Sequence, residues 1–203
     1  MNPSHVSNRS SRRQRHTGFT LIEVLVAIVV LSFGMLGMVG LQAASLQANR
    51  DARQQSAAIN LAKELAEMMR GNKDVALAAD ASNFYVGDFS GSPLTTPSAS
   101  YCLTAGNACA SVGDVAKAEL TEWLTRVESE LPGARVKICS DSAPYVGDLP
   151  RWDCTSAGST DVMVVKIGWT RSSTRKATAQ GDNALNQATV PSVVLPVTAG
   201  SKT

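Results

Sequence analysis

The stretch GFTLIEVLVAIVVLSFGMLGMVGL, residues 18–41, decides the fold of this 203-residue chain. From Phe19 to Leu41 nearly every residue is apolar, and roughly 20 residues suffice to cross a bilayer as an α-helix. One carboxylate, Glu23, interrupts the run with no basic residue beside it. An acid at the centre of a bilayer costs about 2.5 to 3.5 kcal/mol on insertion scales. The run therefore predicts a membrane-spanning helix whose single acid needs an explanation.

The segment before this run is basic, with four arginines and no acid: Arg9, Arg12, Arg13 and Arg15. Positive charge tends to stay in the cytoplasm, so we expect a single pass through a membrane with the amino terminus in the cytoplasm and the head exported. A cleaved secretory signal is one alternative, although Leu41-Gln42-Ala43, the best cleavage sequence after the run, has a bulky residue where a small one is preferred. A simple uncleaved anchor also fits the length and orientation but gives no reason for Glu23.

The rest of the chain is mildly acidic, because taking those four arginines from the 19 basic residues leaves 15, against 17 acidic residues. This balance argues against bulk binding of nucleic acid, which needs a basic face. A short basic cluster, Arg171, Arg175 and Lys176, is more typical of a solvated loop than of a DNA contact. Nucleic acid is therefore not an expected partner.

The heptapeptide Gly18-Phe19-Thr20-Leu21-Ile22-Glu23-Val24 resembles the class III signal of type IV pilins and of the pseudopilins of type II secretion. The resemblance implies that a prepilin peptidase removes residues 1–18 by cutting between Gly18 and Phe19, and that the new amino group of Phe19 is methylated. Residues 19–41 would be kept as a transmembrane and assembly helix. The implied partners are other major and minor pilins, bound through this helix, the prepilin peptidase and the inner-membrane assembly platform.

Cleavage would also explain Glu23, because it creates a cationic amine four residues before that carboxylate. A buried charge is tolerated when it is paired. In a filament, as the family implies, Glu23 of one subunit would meet the Phe19 amine of its neighbour and set the register between them. The alternative is an incidental acid near the membrane surface that reaches water.

The helical pattern continues beyond the apolar run. Apolar residues recur at spacings of three and four in residues 42–71, at Ala58, Leu61, Ala62, Leu65, Met68 and Met69. No proline interrupts residues 19–70, and Gly71-Asn72 is a reasonable end. A helix over 19–70 would be about 78 Å long, so we expect half of it to extend beyond the head, as in pilins.

Three glycines, Gly34, Gly37 and Gly40, recur in the apolar half. Each weakens a helix interior by roughly 0.8 to 1 kcal/mol relative to alanine. One interpretation is a soft spot that bends or melts on assembly, as the family implies. The other is close packing of helices through small residues in a membrane.

Residues 72–203 form the predicted exported head. Residues 72–113 have no sustained period and are interpreted as a long surface loop. Four cysteines in an exported segment suggest two disulfides, and the shortest loops favour Cys102 with Cys109 and Cys139 with Cys154, although the sequence leaves the pairing open. A zinc site is the alternative, but neither cysteine pair has the spacing of two to four residues that zinc ligands usually show, and no histidine follows Gly18.

The remainder of the head predicts an α+β fold. A helix capped by Asp114 buries a stripe formed by Leu120, Trp123, Leu124, Val127 and Leu131, and Pro132-Gly133 ends it. Two alternating segments, from Ala134 and from Asp161, predict strands, and residues 189–197 predict at best an edge strand because they contain two prolines. Trp123 and Trp169 are interpreted as core residues. We expect a type IV pilin-like fold with a sheet of three or four antiparallel strands on the long helix.

No catalytic or cofactor motif is present. The chain lacks a phosphate-binding loop, a dinucleotide fingerprint and an HExxH sequence, and its only histidines, His5 and His16, lie in the leader. We therefore expect no enzyme, no cofactor and no metal.

The head more loosely resembles the PilV family of type IV pilus modification proteins. The resemblance lies in Leu131-Pro132-Gly133 and in the strand residues Val165, Ile167 and Trp169. It implies a minor pilin that primes or modifies type IV pili. The alternatives are a minor pseudopilin of a type II secretion system and a DNA-binding or adhesive subunit at a pilus tip.

Overall fold

The computed structural model describes residues 18–97, 102–156, 161–172, 185–186 and 188–200. The chain divides into two units, Met1–Gln47 and Ala48–Thr203. The arginines and histidines of the leader lie outside the described residues, as do Arg175 and Lys176. The predicted segment boundaries after residues 18, 41 and 71 were placed from the expected cleavage and from changes in composition. They stay predictions.

The longest element is helix α1, Leu21–Gly71, with 51 residues. It begins two residues later than predicted because Thr20 occupies the cap position: its carbonyl accepts the N–H groups of Glu23 at 3.1 Å and Val24 at 3.3 Å. The helix runs without a break through Gly34, Gly37 and Gly40.

The two parts of α1 differ in exposure. Every residue from 18 to 46 is exposed. Further along, α1 buries an apolar stripe, Ala58, Leu61, Ala62, Leu65 and Met69, with Met68 packed partly against it. The amphipathic stripe predicted from spacing is therefore confirmed.

The head contains one antiparallel sheet of four strands in the spatial order β1-β2-β5-β8. The strands are β1 Gly87–Phe89, β2 Arg135–Asp141, β5 Val162–Gly168 and β8 Val193–Pro196. The central pair β2 and β5 runs from Arg135 opposite Gly168 to Asp141 opposite Val162. β8 is an edge strand, as the two prolines of residues 189–197 predicted, because Pro lacks the N–H that a central ladder requires.

Residues 72–113 are not simply a surface loop, and that prediction was wrong in part. They include the short helix α2, Lys73–Ala76, and strand β1. They also bury Val75, Tyr85, Phe89 and Leu94 in the core. A helix of four residues and a strand of three are too short to give a period that can be recognised in sequence.

Helix α3, Val112–Glu130, is capped by Ser111 rather than by the predicted Asp114. The Ser111 hydroxyl accepts the Asp114 N–H at 3.2 Å and donates to the Asp114 carboxylate at 2.8 Å, so Asp114 lies inside the first turn. The five residues of the predicted apolar stripe have no exposed surface. The helix ends at Glu130 with Leu131 as its carboxyl-terminal cap, just before the predicted stop at Pro132-Gly133.

The core of the head lies between α1, α3 and one face of the sheet. The sheet contributes Val136, Ile138, Val165 and Ile167, all without exposed surface. Both tryptophans predicted for the core are buried there. The Trp123 indole N–H donates to the Leu61 carbonyl at 2.9 Å, and that of Trp169 donates to Gln54 Oε1 at 3.1 Å. The fold class is therefore the predicted one, α+β with a long amino-terminal helix and a small antiparallel sheet, as in type IV pilins.

Two pairs of two-residue strands in the head were not predicted. β3 Tyr145–Val146 and β4 Leu149–Pro150 form a hairpin, and β6 Arg171–Ser172 pairs with β7 Leu185–Asn186. The hairpin lies within the segment that the Cys139 and Cys154 pair encloses.

Candidate functional site: the amino-terminal segment and the disulfide loop

The predicted processing site lies at the start of α1. Gly18 and Phe19 precede the helix, and Phe19 is 83% exposed. A peptide bond in exposed, non-helical backbone is accessible to a peptidase, whereas a helical bond would have to be unwound first. The local structure is therefore compatible with cleavage between these residues.

Glu23 lies in the first turn of α1, where the helix dipole favours a negative charge. Its neighbours on the helix surface are apolar, namely Phe19, Val24, Ala27, Ile28 and Leu31. The predicted amine and the carboxylate are thus on one surface, although Phe19 itself is not helical. This surface carries one acid among apolar side chains. If the surface packs against other apolar groups, the charged carboxylate of Glu23 needs a cationic partner.

Among the described residues, α1 is the one helix that is long and apolar enough to cross a membrane. Its most apolar 18-residue window has a mean hydropathy of 2.6 and is 0% buried. A buried core helix would have most of that window covered. The exposure of the window therefore favours a lipid or filament environment over the interior of a head.

The glycines of the apolar half have open space beside them, as far as the described residues are concerned. A Cβ atom added at Gly34, Gly37 or Gly40 would meet no atom within 4 Å. The structure thus leaves the surface of the helix open at all three positions, and the predicted soft spot stays a prediction.

Both disulfides join the local partners that the shortest loops favour. Cys102 is bonded to Cys109 and Cys139 to Cys154. In the chain-entropy model, closing a loop of about 16 residues, like the second one, gains about 3 kcal/mol. We call the residues between Cys139 and Cys154 the disulfide loop.

The disulfide loop covers the face of the sheet that points away from α1. Trp152 packs over Gly168, where an added Cβ would come within 2.8 Å of the indole ring. The guanidinium of Arg135 stacks on the same ring, 4.5 Å from its centre. β5 is therefore buried on both faces, as its pattern from Val164 to Gly168 shows.

Beneath the loop lies a fully buried ion pair that sequence reasoning missed. Lys166 Nζ donates to Asp141 Oδ2 at 2.5 Å and to the Asp153 carbonyl at 2.7 Å, and neither side chain of the pair has exposed surface. The other oxygen of Asp141 accepts the N–H groups of Ala143 at 2.9 Å and Thr155 at 3.1 Å. Burial raises the pKa of Asp141, but the hydrogen bonds from Lys166 and the two backbone N–H groups outweigh it and lower that pKa overall.

The buried pair does not form a metal site. The sulfurs of Cys139 and Cys154 and a carboxylate oxygen of Asp141 lie within 4.8 Å of one another. Because the sulfurs are bonded to each other and the carboxylate is occupied by Lys166, none of the three is free to ligate a cation. The group is a structural clamp that fixes the disulfide loop to β5.

Sequence reasoning missed Lys166 because its alternation with Val164 and Gly168 indicates a solvent-facing side of a strand. The available signal was weak. It consisted of Trp152 between Cys139 and Cys154, followed by a strand that contains Lys166. The predicted site residues fall into two groups, since Gly18 to Gly40 and the four cysteines belong to different units.

Two comparisons with known families agree with the amino-terminal geometry. Residues 13–39 match the model of the prokaryotic N-terminal methylation motif. Residues 40–121 match the model of the type IV pilin Tt1218. No curated protein and no solved structure gives a significant match to the chain. The two family matches follow one another along the sequence, and together they support the assignment of this chain to the type IV pilins, as a structural subunit.

Proposed function

We propose that the chain is a minor type IV pilin that primes the assembly of pili or modifies them. The prepilin peptidase cuts it between Gly18 and Phe19, and the Phe19 amine is methylated. The mature subunit is stored in the inner membrane through residues 19–41, with its head in the periplasm, and enters the filament from there. The assembly platform and other pilins are its partners.

The observation that carries this proposal is the position of Glu23. It is an acid in the first turn of α1, within residues 21–41, the apolar part of the helix, in which every residue is exposed. A residue that served only to anchor the helix would be better apolar, since a charge in hydrocarbon is unfavourable. An acid that meets the amine of a neighbouring subunit removes this cost for both groups.

A minor pseudopilin of a type II secretion system is the second candidate, because the amino-terminal pattern is common to both systems. Deletion of the gene separates them. Loss or change of surface pili supports the pilin function, whereas intact pili with secreted enzymes trapped in the periplasm support the pseudopilin function. The looser resemblance to PilV favours the first.

The proposal is tested with Glu23→Ala in the full-length chain. We expect normal processing, but the amount of the variant recovered in sheared filaments should fall about tenfold or more. The physical reason is that the Phe19 amine would then have to be buried without a partner. Glu23→Asp keeps the charge and is expected to retain part of the incorporation. Gln42→Ala, another exposed polar position of α1, is the matched control and is expected to be neutral.

Mass spectrometry of the same preparations tests the processing step. The expected amino terminus is methylated Phe19. Incorporation of Glu23→Ala at the parental level, with that amino terminus, would contradict the charge pairing. An amino terminus other than Phe19 would contradict the assignment as a pilin.

A further inference from the structure

Cys154 lies between the two residues through which the disulfide loop is bound to the buried ion pair. The carbonyl of Asp153, just before it, accepts a hydrogen bond from Lys166 Nζ at 2.7 Å. The N–H of Thr155, just after it, donates to Asp141 Oδ1 at 3.1 Å. Neither contact involves a sulfur atom. The backbone on each side of Cys154 is therefore held by the ion pair as well as by the disulfide.

The same ion pair is tied to the strand that carries the other cysteine. Cys139 lies in β2 opposite Val164 of β5, and Asp141 lies two residues further along β2. A carboxylate oxygen of Asp141 lies within 4.8 Å of the sulfurs of both Cys139 and Cys154. The acid that binds the end of the loop thus belongs to the strand in which the loop begins.

Further hydrogen bonds close the disulfide loop without the disulfide. The Ser142 N–H and hydroxyl both donate to the Thr155 carbonyl, at 2.8 and 2.9 Å. The Arg151 N–H donates to the Pro144 carbonyl at 3.1 Å, and its side-chain Nε donates to the Ala143 carbonyl at 2.8 Å. None of these bonds passes through the sulfurs, so they are equally available to a loop whose cysteines are thiols.

Chain length alone is a weak guide to the pairing of Cys139. Cys154 is 15 residues away, and Cys109, the nearest other cysteine along the chain, is twice as far. In a flexible chain, a loop of twice the length closes only about threefold less often. Groups held in the right orientation reach effective concentrations that are orders of magnitude higher than those in a flexible loop. A contact that holds Cys154 beside Cys139 before the bond forms therefore has more influence than loop length.

We propose that Lys166 and Asp141 are positioning residues that hold Cys154 beside Cys139 in the reduced head, so that this disulfide forms and, after reduction, forms again. The ion pair and the disulfide then stabilise each other, because a coupling free energy is reciprocal. The loop consequently stays on the sheet when the disulfide is reduced. This inference concerns the head alone and does not rest on the proposed function.

The covalent step needs an oxidant, which is a disulfide of a small molecule or of another protein. One cysteine of the pair attacks this disulfide as a thiolate, forms a mixed disulfide and releases one sulfur of the oxidant. The second cysteine then attacks the first and releases the other sulfur. Two electrons pass to the oxidant, and its two sulfurs take up the protons that the cysteines lose. The ion pair acts only by placing the two cysteine sulfurs.

Equilibration of the full-length chain in detergent micelles with mixtures of reduced and oxidised glutathione measures the effective concentration of each cysteine pair. After acid quenching and alkylation, mass spectrometry of peptides gives the oxidised fraction of both pairs in one sample. We expect Lys166→Met to lower the effective concentration of Cys139 with Cys154 about tenfold or more, as for a lost hydrogen bond to a charged group. Cys102 with Cys109, in a different segment, is an internal control and should be unchanged.

Lys166→Met combined with Asp141→Leu separates positioning from stability. An apolar pair of this kind is expected to recover most of the stability that the single variant loses. It nevertheless lacks the hydrogen bonds to Asp153 and Thr155. We therefore expect the effective concentration of the pair in the disulfide loop to stay at least about fivefold below that of the parent.

Leu124→Ala, a core change in α3 outside the disulfide loop, is the matched control for lost stability. It should leave the effective concentration of Cys139 with Cys154 at the parental level. The proposal is overturned if the double variant has the parental value, or if Leu124→Ala lowers that value as much as the double variant does. In the second case the stability of the head, and not the position of the loop, controls the disulfide.

Discussion

At the residue scale, Lys166 explains how a small head can bury both faces of a strand. An unpaired ammonium in the interior would be several kcal/mol unfavourable, so burial requires a partner. Asp141 supplies the opposite charge, and the Asp153 carbonyl accepts a second hydrogen bond. The loop backbone satisfies the remaining oxygen of Asp141. The pair thus fixes the loop on the sheet even where apolar contacts are few.

Lys166→Met is expected to lower the free energy of unfolding at neutral pH by about 3–5 kcal/mol, because the buried Asp141 loses its hydrogen-bonded cation and keeps only Arg151, 4.0 Å away. Lys166→Met combined with Asp141→Leu is expected to recover most of this loss. Urea unfolding of the full chain in detergent, followed by fluorescence of the three buried tryptophans, measures both. An equal loss in the single and the double variant would contradict the role of the charge.

The stability contribution of Asp141 should depend on pH more steeply in the parent than in Lys166→Met. In the parent the pKa of Asp141 is lowered by folding, so its stabilisation is present above the unfolded pKa of about 3.9 and is lost as the pH falls further. In Lys166→Met the carboxylate lacks its hydrogen-bonded cation, so its pKa in the folded protein should be higher than in the parent and protonation should cost less stability. We therefore expect the stability difference between the proteins to shrink from pH 7 to about pH 3.

At the element scale, the turn between α3 and β2 depends on one glycine. Gly133 has φ of 59°, and an added Cβ would lie 2.3 Å from Thr170 Oγ1. The Thr170 N–H donates to the Pro132 carbonyl at 2.9 Å, so the threonine cannot easily move away. The turn therefore requires glycine both for its conformation and for the close approach of the chain after β5.

Gly147 provides a matched control, because it has the same φ of 59° but no atom within 4 Å of an added Cβ. Gly147→Ala is expected to cost about 1–2 kcal/mol, the conformational term alone. Gly133→Ala is expected to cost at least about 1 kcal/mol more because of overpacking. Urea unfolding of the full chain compares them, and equal losses would show that Thr170 yields without cost.

Sequence reasoning reached the elements whose residues interact at short spacing. The stripes of α1 and α3 and the alternation around Val165 predicted helices and strands correctly, since periodicity reports which face is buried. It failed for Tyr85 and Phe89, because their burial depends on contacts with distant helices. It also failed for Lys166, since only the folded disulfide loop makes the outer face of β5 an interior.

At the scale of the whole molecule, the two family matches end at residue 121, whereas the clamp and the β3–β4 hairpin lie beyond it. The matched part therefore contains the segment expected to enter the filament and residues 72–121, which are 50 of the 132 residues of the predicted head.

The glycines of α1 allow the proposed assembly mechanism to be tested in the complete subunit. Replacing Gly34, Gly37 and Gly40 together by alanine adds no clash within the subunit, because all three positions are open. Each alanine stabilises the helix by about 0.8–1 kcal/mol, so a segment that must unwind on assembly should resist doing so. We expect lower recovery in sheared filaments with normal processing at Phe19.

Valine at the same positions separates a soft spot from close packing. Valine is larger than alanine but a poorer helix former, by up to about 0.7 kcal/mol per residue. If the segment must unwind, the alanine variant is incorporated less well than the valine variant. If small residues are needed for close approach, the order reverses, because the larger side chain keeps neighbouring helices further apart. Met35→Ala with Met38→Ala, exposed positions between the glycines, controls for general changes in this part of α1, and we expect the order that corresponds to unwinding.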